Sequence, residues 1–353
     1  MGSQVDSIIE AIGAAREAKK PLLIRGGNTK HGLLGRHCDG QILDVSAHKG
    51  IVDLQASELV LTVLSGTTLK DIDRALAPLG LELPFEPPHL GEAATIGGTL
   101  ACNLSGPARP WRGSIRDAVL GVQLVNGKAE LLNFGGKVMK NVAGYDVSRL
   151  QAGALGTLGV ITEISLKLLP RAQSTTTLVF EMSAADAIQT MNQRAAQPKP
   201  LSGAVWVDGK LYLRLAGAAA TVAQTATHWG GEQSPEAQTI WTALNQMTVP
   251  FFAHPEPIWR ASLKSTAPHT EQVGEQLIDW GGAQRWLRGN HDKAELERYA
   301  SDAGGHITLF RGGDRRGEVR HSLDSIQRRL QARLKHSFDP DEILNPGRLY
   351  SWM

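Results

Sequence analysis

Three glycine-rich stretches carry the chemistry that can be read from this sequence. The first is Arg25-Gly26-Gly27-Asn28-Thr29-Lys30-His31-Gly32, the second runs from Gly91 to Pro107 ("GEAATIGGTLACNLSGP"), and the third from Gly153 to Thr162 ("GALGTLGVIT"). Glycine removes the side chain, so successive backbone N–H groups can turn toward one anion, while Ser, Thr and Asn add short donors at the same surface. One glycine pair alone reads as a tight turn between strands. Three such stretches, each beside an apolar run, point instead to a large phosphate-bearing ligand.

Rival chemistries lack their signatures. No two glycines stand two apart, so the G-x-G-x-x-G fingerprint is absent, and no Gly-Lys-Ser/Thr supplies a P-loop. H-E-x-x-H and G-x-S-x-G are missing as well. Cys38 and Cys102 are the only thiols and form no C-x-x-C, too few for an iron–sulfur cluster or a Cys-rich zinc site. The 37 basic residues against 35 acidic ones leave a formal charge of +2, which gives no global attraction to nucleic acid. No apolar run approaches the roughly 18 residues of a spanning helix, and the N-terminus is not a signal peptide. A soluble globular protein of a reducing compartment, with two domains in its 353 residues, is expected.

The elements that must position these loops follow from periodicity. Val5, Ile8, Ile9 and Ile12 share a helical face with Ser7 and Glu10 in capping-box spacing, and the helix feeds a strand at Leu22-Leu23-Ile24. "QILDVS" and "ELVLTVLSG" read as strands, and Thr68 and Asp71 cap a helix built on Leu69, Ile72 and Leu76 that ends near Pro78 and Gly80. Asn126-Gly127 between apolar runs predicts a type I′ hairpin, and "LGVITEISLKLLP" a strand ending at Pro170. From about Gln173 a second rhythm gives two βαββαβ-like units, the first with a hairpin at Asp208-Gly209 and the second poorly marked. A last helix carries Leu323, Ile326, Leu330 and Leu334 among Arg328, Arg329, Arg333 and Lys335, and reads as a packed helix with a solvated basic face.

"IRGGNTKHG", "ATIGGTLACNLSGP", "RGSIRDAVLGVQLVNGK", "KNVAGYDVSRLQAGALGTLGVITEISLKLLP" and "FDPDEILNPGRL" together resemble the p-cresol methylhydroxylase / vanillyl-alcohol oxidase superfamily of FAD-binding proteins. Within it they are most similar to the FAD-binding E subunits of bacterial glycolate oxidase. The resemblance covers roughly Pro21 to Pro170 and the tail from Phe338 to Leu349. It implies an α+β fold: a two-part FAD-binding domain of this type over 1–172, a ferredoxin-like α+β cap domain over 173–336, and a C-terminal tail, 337–353, that returns to the flavin.

It also implies which residues hold the cofactor. Arg25, Gly26, Gly27, Asn28, Thr29, Lys30 and Gly32 would wrap the FAD pyrophosphate. Pro87, Gly91, Thr95, Ile96, Gly97, Gly98, Ala101, Asn103, Ser105, Gly106, Arg112 and Gly113 would hold flavin and phosphate. Gly153, Gly156, Thr157, Gly159, Val160 and Ile161 would give backbone contacts near the ribityl and adenosine parts, with Asn345 and Arg348 near the isoalloxazine. Arg109, Arg112 and Arg116 are candidates for a positive charge beside the flavin, and Tyr145 for a place near the ring.

Two departures from the pattern matter. Relatives with covalent flavin carry His where this chain has Asn28, so FAD is expected to be non-covalent, with His31 a loop donor or surface residue. Related 2-hydroxy-acid dehydrogenases carry a His-rich metal motif in the cap that is absent here; His291 and His306 read as isolated surface residues, no metal is expected, and the usual substrate site looks lost. Six tryptophans from Trp206 to Trp286 then read as core or interface. The resemblance implies an accessory redox subunit of a glycolate (2-hydroxy acid) oxidase complex. Its partners would be a sister catalytic flavoprotein and an iron–sulfur subunit; its location would be cytoplasmic, with any contact to the inner membrane made through the complex. The alternatives are an autonomous FAD-dependent 2-hydroxy-acid dehydrogenase and a scaffold whose FAD is structural. No catalytic residue is assigned.

Overall fold

The computed structural model describes residues 2–136, 146–233 and 236–353. The chain forms two compact units: Met1–Leu104, Ser114–Pro170 and Asp314–Met353 make the first, Ser105–Gly113 and Arg171–Gly313 the second.

The first unit is built on a five-stranded antiparallel sheet in the order Ile51–Gln55, Val60–Leu64, Val160–Lys167, Val119–Val125, Leu131–Gly135. Its central strands are near-continuous apolar runs because both of their faces are covered. Leu61 pairs with Leu166 and Val63 with Ile164, while Thr62 and Ser165, polar residues in that core, satisfy each other at 2.9 Å. The helix Leu69–Leu76 buries Leu69, Ile72 and Leu76, one residue per turn of its inner face. Thr68 caps it by accepting from the Asp71 N–H at 3.1 Å, and a left-handed Gly80 closes the 3-10 turn that follows.

A second layer holds the parallel pair Leu22–Arg25 and Gln41–Asp44. Helix Gly2–Ala18 packs Ile8, Ile12 and Ala15 into the cluster that contains Leu22 and Val45. It begins before the Ser7–Glu10 spacing, which lies inside it, since no proline precedes Pro21 to break it. The tail returns to this layer. Leu22 bridges Leu344 in parallel, its N–H donating to the Ile343 carbonyl at 2.7 Å, and the Asn345 N–H donates to the Leu22 carbonyl at 2.9 Å.

The last helix, Ser325–Phe338, joins the first unit, whereas the sequence reading ran the cap to residue 336. Its anchors are non-local. Leu323, Leu334 and Phe338 pack against a cluster of Ala154, Leu155, Leu158, Leu349 and Tyr350, and the Lys335 Nζ donates to the Thr157 and Leu344 carbonyls, each at 2.9 Å. The hairpin at Asn126-Gly127 also differs from the expected type I′ turn, since neither residue has positive φ and the left-handed residue is Ala129. The Asn126 Oδ1 instead accepts from the N–H groups of Lys128 and Glu130, which sets a longer loop. Glycine is needed at 127 for a different reason: a Cβ there would lie 2.2 Å from Asp339 Oδ1.

The second unit is one eight-stranded antiparallel sheet made of two four-stranded groups joined where Trp206 pairs with Ile278. In the first group, Glu232–Gln233, Ser174–Glu181, Lys210–Gly217 and Leu201–Val207 lie side by side, with helices Ala184–Ala195 and Ala219–Trp229 as crossovers. Asp208 and Gly209, at the hairpin expected there, have φ of 50° and 76°, the positive values that a type I′ turn requires. The other group orders Gln276–Asp279, Gln284–Arg288, Ile258–Ser262 and His306–Arg311. Its first crossover ends in only a 3-10 turn, Glu271–Val273, before the strand, which is why the sequence marked it poorly. Trp229, Trp241, Trp259, Trp280 and Trp286 are buried, so the tryptophans are core residues. Ser105–Gly113 joins this unit because the Trp280 indole donates to the Gly106 carbonyl at 3.0 Å and the Arg109 guanidinium lies 4.5 Å over the Trp280 ring.

Candidate functional site

Within the first unit, three strands end at one cavity. Arg25 closes its strand there, Val45 and Ser65 are the first residues after theirs, and the Gly26–His31 loop continues the wall. Thr95, Gly97, Gly98, Ala101 and Cys102 line it from the helix Ile96–Cys102 and its cap. Leu155, Gly156, Gly159, Ile161, Asn345 and Arg348 complete it.

The first loop offers what an anion requires. Among the described residues, the backbone N–H groups of Gly26, Gly27, Asn28, Thr29 and Lys30 donate to no protein acceptor, although the turn is closed by His31 N–H to the Asn28 carbonyl at 3.4 Å and Leu33 N–H to the Lys30 carbonyl at 3.1 Å. Asn28 sits at φ 57°, the left-handed region its short amide tolerates, and the alternation of backbone sign is what turns neighbouring N–H groups the same way. Gly27 has no alternative, because a Cβ would fall 1.4 Å from the Ala93 carbonyl oxygen.

In the second stretch the first backbone donors are already taken within the protein. Thr95 accepts from the Gly98 N–H at 3.2 Å, while the Ile96 and Gly97 N–H groups are taken by the Thr67 and Ser65 carbonyls at 3.0 and 2.8 Å. Its contribution to the cavity is close approach. A Cβ on Gly97 would lie 2.7 Å from that of Ser65. In the third stretch Gly156, at φ 75°, leaves room for the Asn345 amide, which accepts from the Ile24 N–H at 2.8 Å and donates to the Leu155 carbonyl at 2.6 Å. One side chain thus ties the first strand, the third stretch and the tail together.

Of the residues named from sequence, Arg25, Gly26, Gly27, Asn28, Thr29, Lys30, Thr95, Gly97, Gly98, Ala101, Gly156, Gly159, Ile161, Asn345 and Arg348 meet at this cavity. Others do not line it. Ile96, Val160 and Thr157 are buried in the packing, Asn103 is the left-handed C-cap of its helix, and Pro87 is buried. Gly32, Gly91 and Gly153 also lie off the wall, and Ser105, Gly106, Arg112 and Gly113 belong to the second unit with Arg109. Arg116 is exposed, and Tyr145 lies outside the described residues. Sequence reasoning missed Leu23, Ile24, Val45, Ser65, Leu155 and both cysteines, and His31, expected as a loop donor or surface residue, also lines the cavity. The available signal was position: the last residues of an apolar strand and the first beyond it.

The wall is cationic. Lys30 is buried and its ammonium is pushed down from its ordinary value by burial, partly opposed by Cys102. Arg348 is held by its own donations to the Arg36 and His31 carbonyls at 2.5 and 2.6 Å, and burial lowers it too. Buried Arg315 is pushed down to about 10 by desolvation and by Arg348 and Arg320. His31, at the rim, is lowered by desolvation first and then by Arg348, Arg25, His37 and Arg315. Arg25 Nε and Ser65 Oγ are buried without a hydrogen-bond partner in the protein. Free N–H groups, positive charge, orphaned polar atoms and apolar Leu23, Ile24, Val45 and Ile161 suit a dinucleotide with phosphates at one end and a flat ring at the other. Among the described residues no group of three or more His, Cys, Asp or Glu could hold a metal ion.

The His31 shift has a sign that can be tested. Its value in the folded, ligand-free chain lies below the unfolded 6.5, so at acid pH the free site binds fewer protons than an unfolded one; a bound anion raises that value again. Binding therefore takes up protons, and FAD affinity will rise by a few-fold as pH falls from about 7.5 to 5.5. His31→Gln will flatten that slope in a fluorescence titration. An equal slope in both proteins would remove His31 from the site.

Residues 2–135 match the family described as FAD binding domain. Glycolate oxidase subunit GlcE of Escherichia coli (strain K12) is 45% identical over 345 residues, covering 98% of this chain and 97% of that protein. Glycolate oxidase subunit GlcD of Bacillus subtilis (strain 168) is 33% identical over 177 residues, 49% of this chain and 37% of its own length. A solved alkyldihydroxyacetonephosphate synthase has the same fold, with a TM-score of 0.65 at 15% identity over 97% of this chain and 74% of that one. No helix among the described residues is long and apolar enough to cross a membrane. With a dinucleotide-shaped site and a relative matched almost end to end, the chain belongs to the GlcE family of glycolate oxidase subunits, FAD-dependent oxidoreductases, and its cofactor is FAD.

Proposed function

We propose that this chain is an accessory redox subunit that holds non-covalent FAD within a glycolate oxidase complex. The supporting observation is the run of undonated N–H groups from Gly26 to Lys30 in a cationic wall that has Asn28 where a flavin-linked histidine stands in covalent relatives. FAD, when bound, supplies reversible two-electron chemistry. The chain's own work is to hold the phosphates on Gly26–Lys30, to hold the tail against the first strand through Asn345, and to surround the site with fixed positive charge from Arg25, Lys30 and Arg348. A sister flavoprotein oxidises glycolate to glyoxylate, and an iron–sulfur subunit carries the electrons onward.

The test is an anaerobic absorption spectrum of the purified chain, before and after acid precipitation and with glycolate. Flavin bands, FAD in the supernatant and no bleaching by glycolate until the sister subunit is added are expected. Bleaching of the isolated chain would make it a dehydrogenase in its own right. A colourless chain that still assembles would make it a scaffold.

A further inference from the structure

The helix Ser325–Phe338 is packed on one side only. Lys335, Leu334 and Phe338 face the first unit, whereas Ile326 and Leu330, 60% and 58% exposed, stand one turn apart on the outer side and are the most exposed large aliphatic residues among those described. The sequence reading had all four aliphatic residues on one packed face. Arg329 and Arg333, three and seven residues beyond Ile326, flank this ridge, and among the described residues neither guanidinium has an ion-pair partner. The helix contains no Asp or Glu. Lys335 is neutralised by Asp339 at 2.6 Å and Arg328 lies 5.0 Å over the Trp352 ring, so the unbalanced charge belongs to the outer face. Like charges four residues apart repel, and exposed aliphatics gain nothing from water.

We propose that this face docks an acidic segment of a partner subunit, with aliphatic side chains between its carboxylates; the inference rests on the accessory-subunit reading above. Arginine beside a small apolar ridge is the composition of an interface centre. A second copy of this chain does not fit, because a two-fold pairing of the helix would oppose Arg329 and Arg333 to themselves with no acid on the helix to offset them. A lipid surface is disfavoured too, since even a full acyl chain alone gives marginal attachment and only two side chains are offered here. The near-full-length relative is named a subunit, which calls for protein-covered surface. Through Lys335 the opposite side of the same helix reaches Thr157, next to Gly156 of the cofactor cavity. A docked partner would therefore be separated from the Gly156 wall by little more than one helix, roughly 10 Å thick.

The test is co-expression of the tagged chain with the sister flavoprotein and iron–sulfur subunits of its own complex. Ile326→Gln/Leu330→Gln and Arg329→Glu/Arg333→Glu are compared with wild type for partner recovery, flavin content and melting midpoint. Roughly tenfold or greater loss of one partner, with FAD and midpoint retained and the wild-type contact weakened by salt, is expected. Variants that hold both partners as wild type does would overturn the inference and leave the accessory-subunit reading intact. Failure of wild type to recover either partner would end both. Binding of the isolated chain to phosphatidylglycerol vesicles, or its dimerisation, lost in the same variants, would assign the face to another occupant and overturn the proposal.

Discussion

Lys335→Met will lower the stability of the protein by about 3–5 kcal/mol, the usual result of removing one member of a buried ion pair. Lys335 and Asp339 are 2% and 0% exposed. The ammonium donates to Asp339 and to the Thr157 and Leu344 carbonyls, and the Asp339 carboxylate accepts from the Ile343 and Leu344 N–H groups at 3.2 and 2.8 Å. Burial pushes the lysine down and Asp339 pushes it back, so the pair survives because each charge is satisfied. Methionine fills much of the volume but leaves the carboxylate buried without its cation and two carbonyls without a donor. Asp339→Asn added to Lys335→Met will recover part of the loss, which separates charge from packing in urea denaturation. A single-variant loss below about 1 kcal/mol would mean that water reaches the pair. Because the same network holds Thr157 and Leu344 beside the cofactor wall, FAD retention will fall with stability in the single variant.

The second large effect is local. Gly27→Ala puts a Cβ 1.4 Å from the Ala93 carbonyl oxygen and 2.4 Å from its carbon, both backbone atoms that cannot swing aside. The loop must move away, and the N–H groups of Gly26 to Lys30 lose their common aim. Misdirecting two charge-assisted hydrogen bonds costs about 3 kcal/mol or more, roughly a hundredfold in FAD affinity. Gly32→Ala is the control, since nothing lies within 4 Å of its added Cβ and its φ is not positive. Equal FAD content in the two alanine variants, measured from absorbance per chain, would show that the first loop does not hold the phosphates.

Local patterns were legible wherever one short segment decided the outcome. The Thr68 cap and the Asp208-Gly209 hairpin are in the structure as they read in the sequence, and each of the three glycine stretches sends some of its residues to one cavity. Asn126-Gly127 misled because a rule about turn residues competed with a distant one: Gly127 is fixed by Asp339, more than two hundred positions away. The donors of the second glycine stretch likewise depend on remote partners, since the carbonyls of Thr67 and Ser65 take the Ile96 and Gly97 N–H groups.

The sequence by itself showed three glycine-rich stretches whose bare backbone suits an anion, and, through the family resemblance, Asn28 at the position of a linking histidine and a tail motif expected to return. Those depend on residue type within a few positions, and side-chain chemistry is written there directly. Only the tertiary structure decided which members of each stretch face the cavity, that Arg25, Lys30 and Arg348 line it, and that the last helix joins the first unit with Ile326 and Leu330 turned outward. The reason is physical. Burial, desolvation and the company of like charges arise from contacts between segments as remote as Ile24 and Asn345, and no local pattern encodes the partner at the other end.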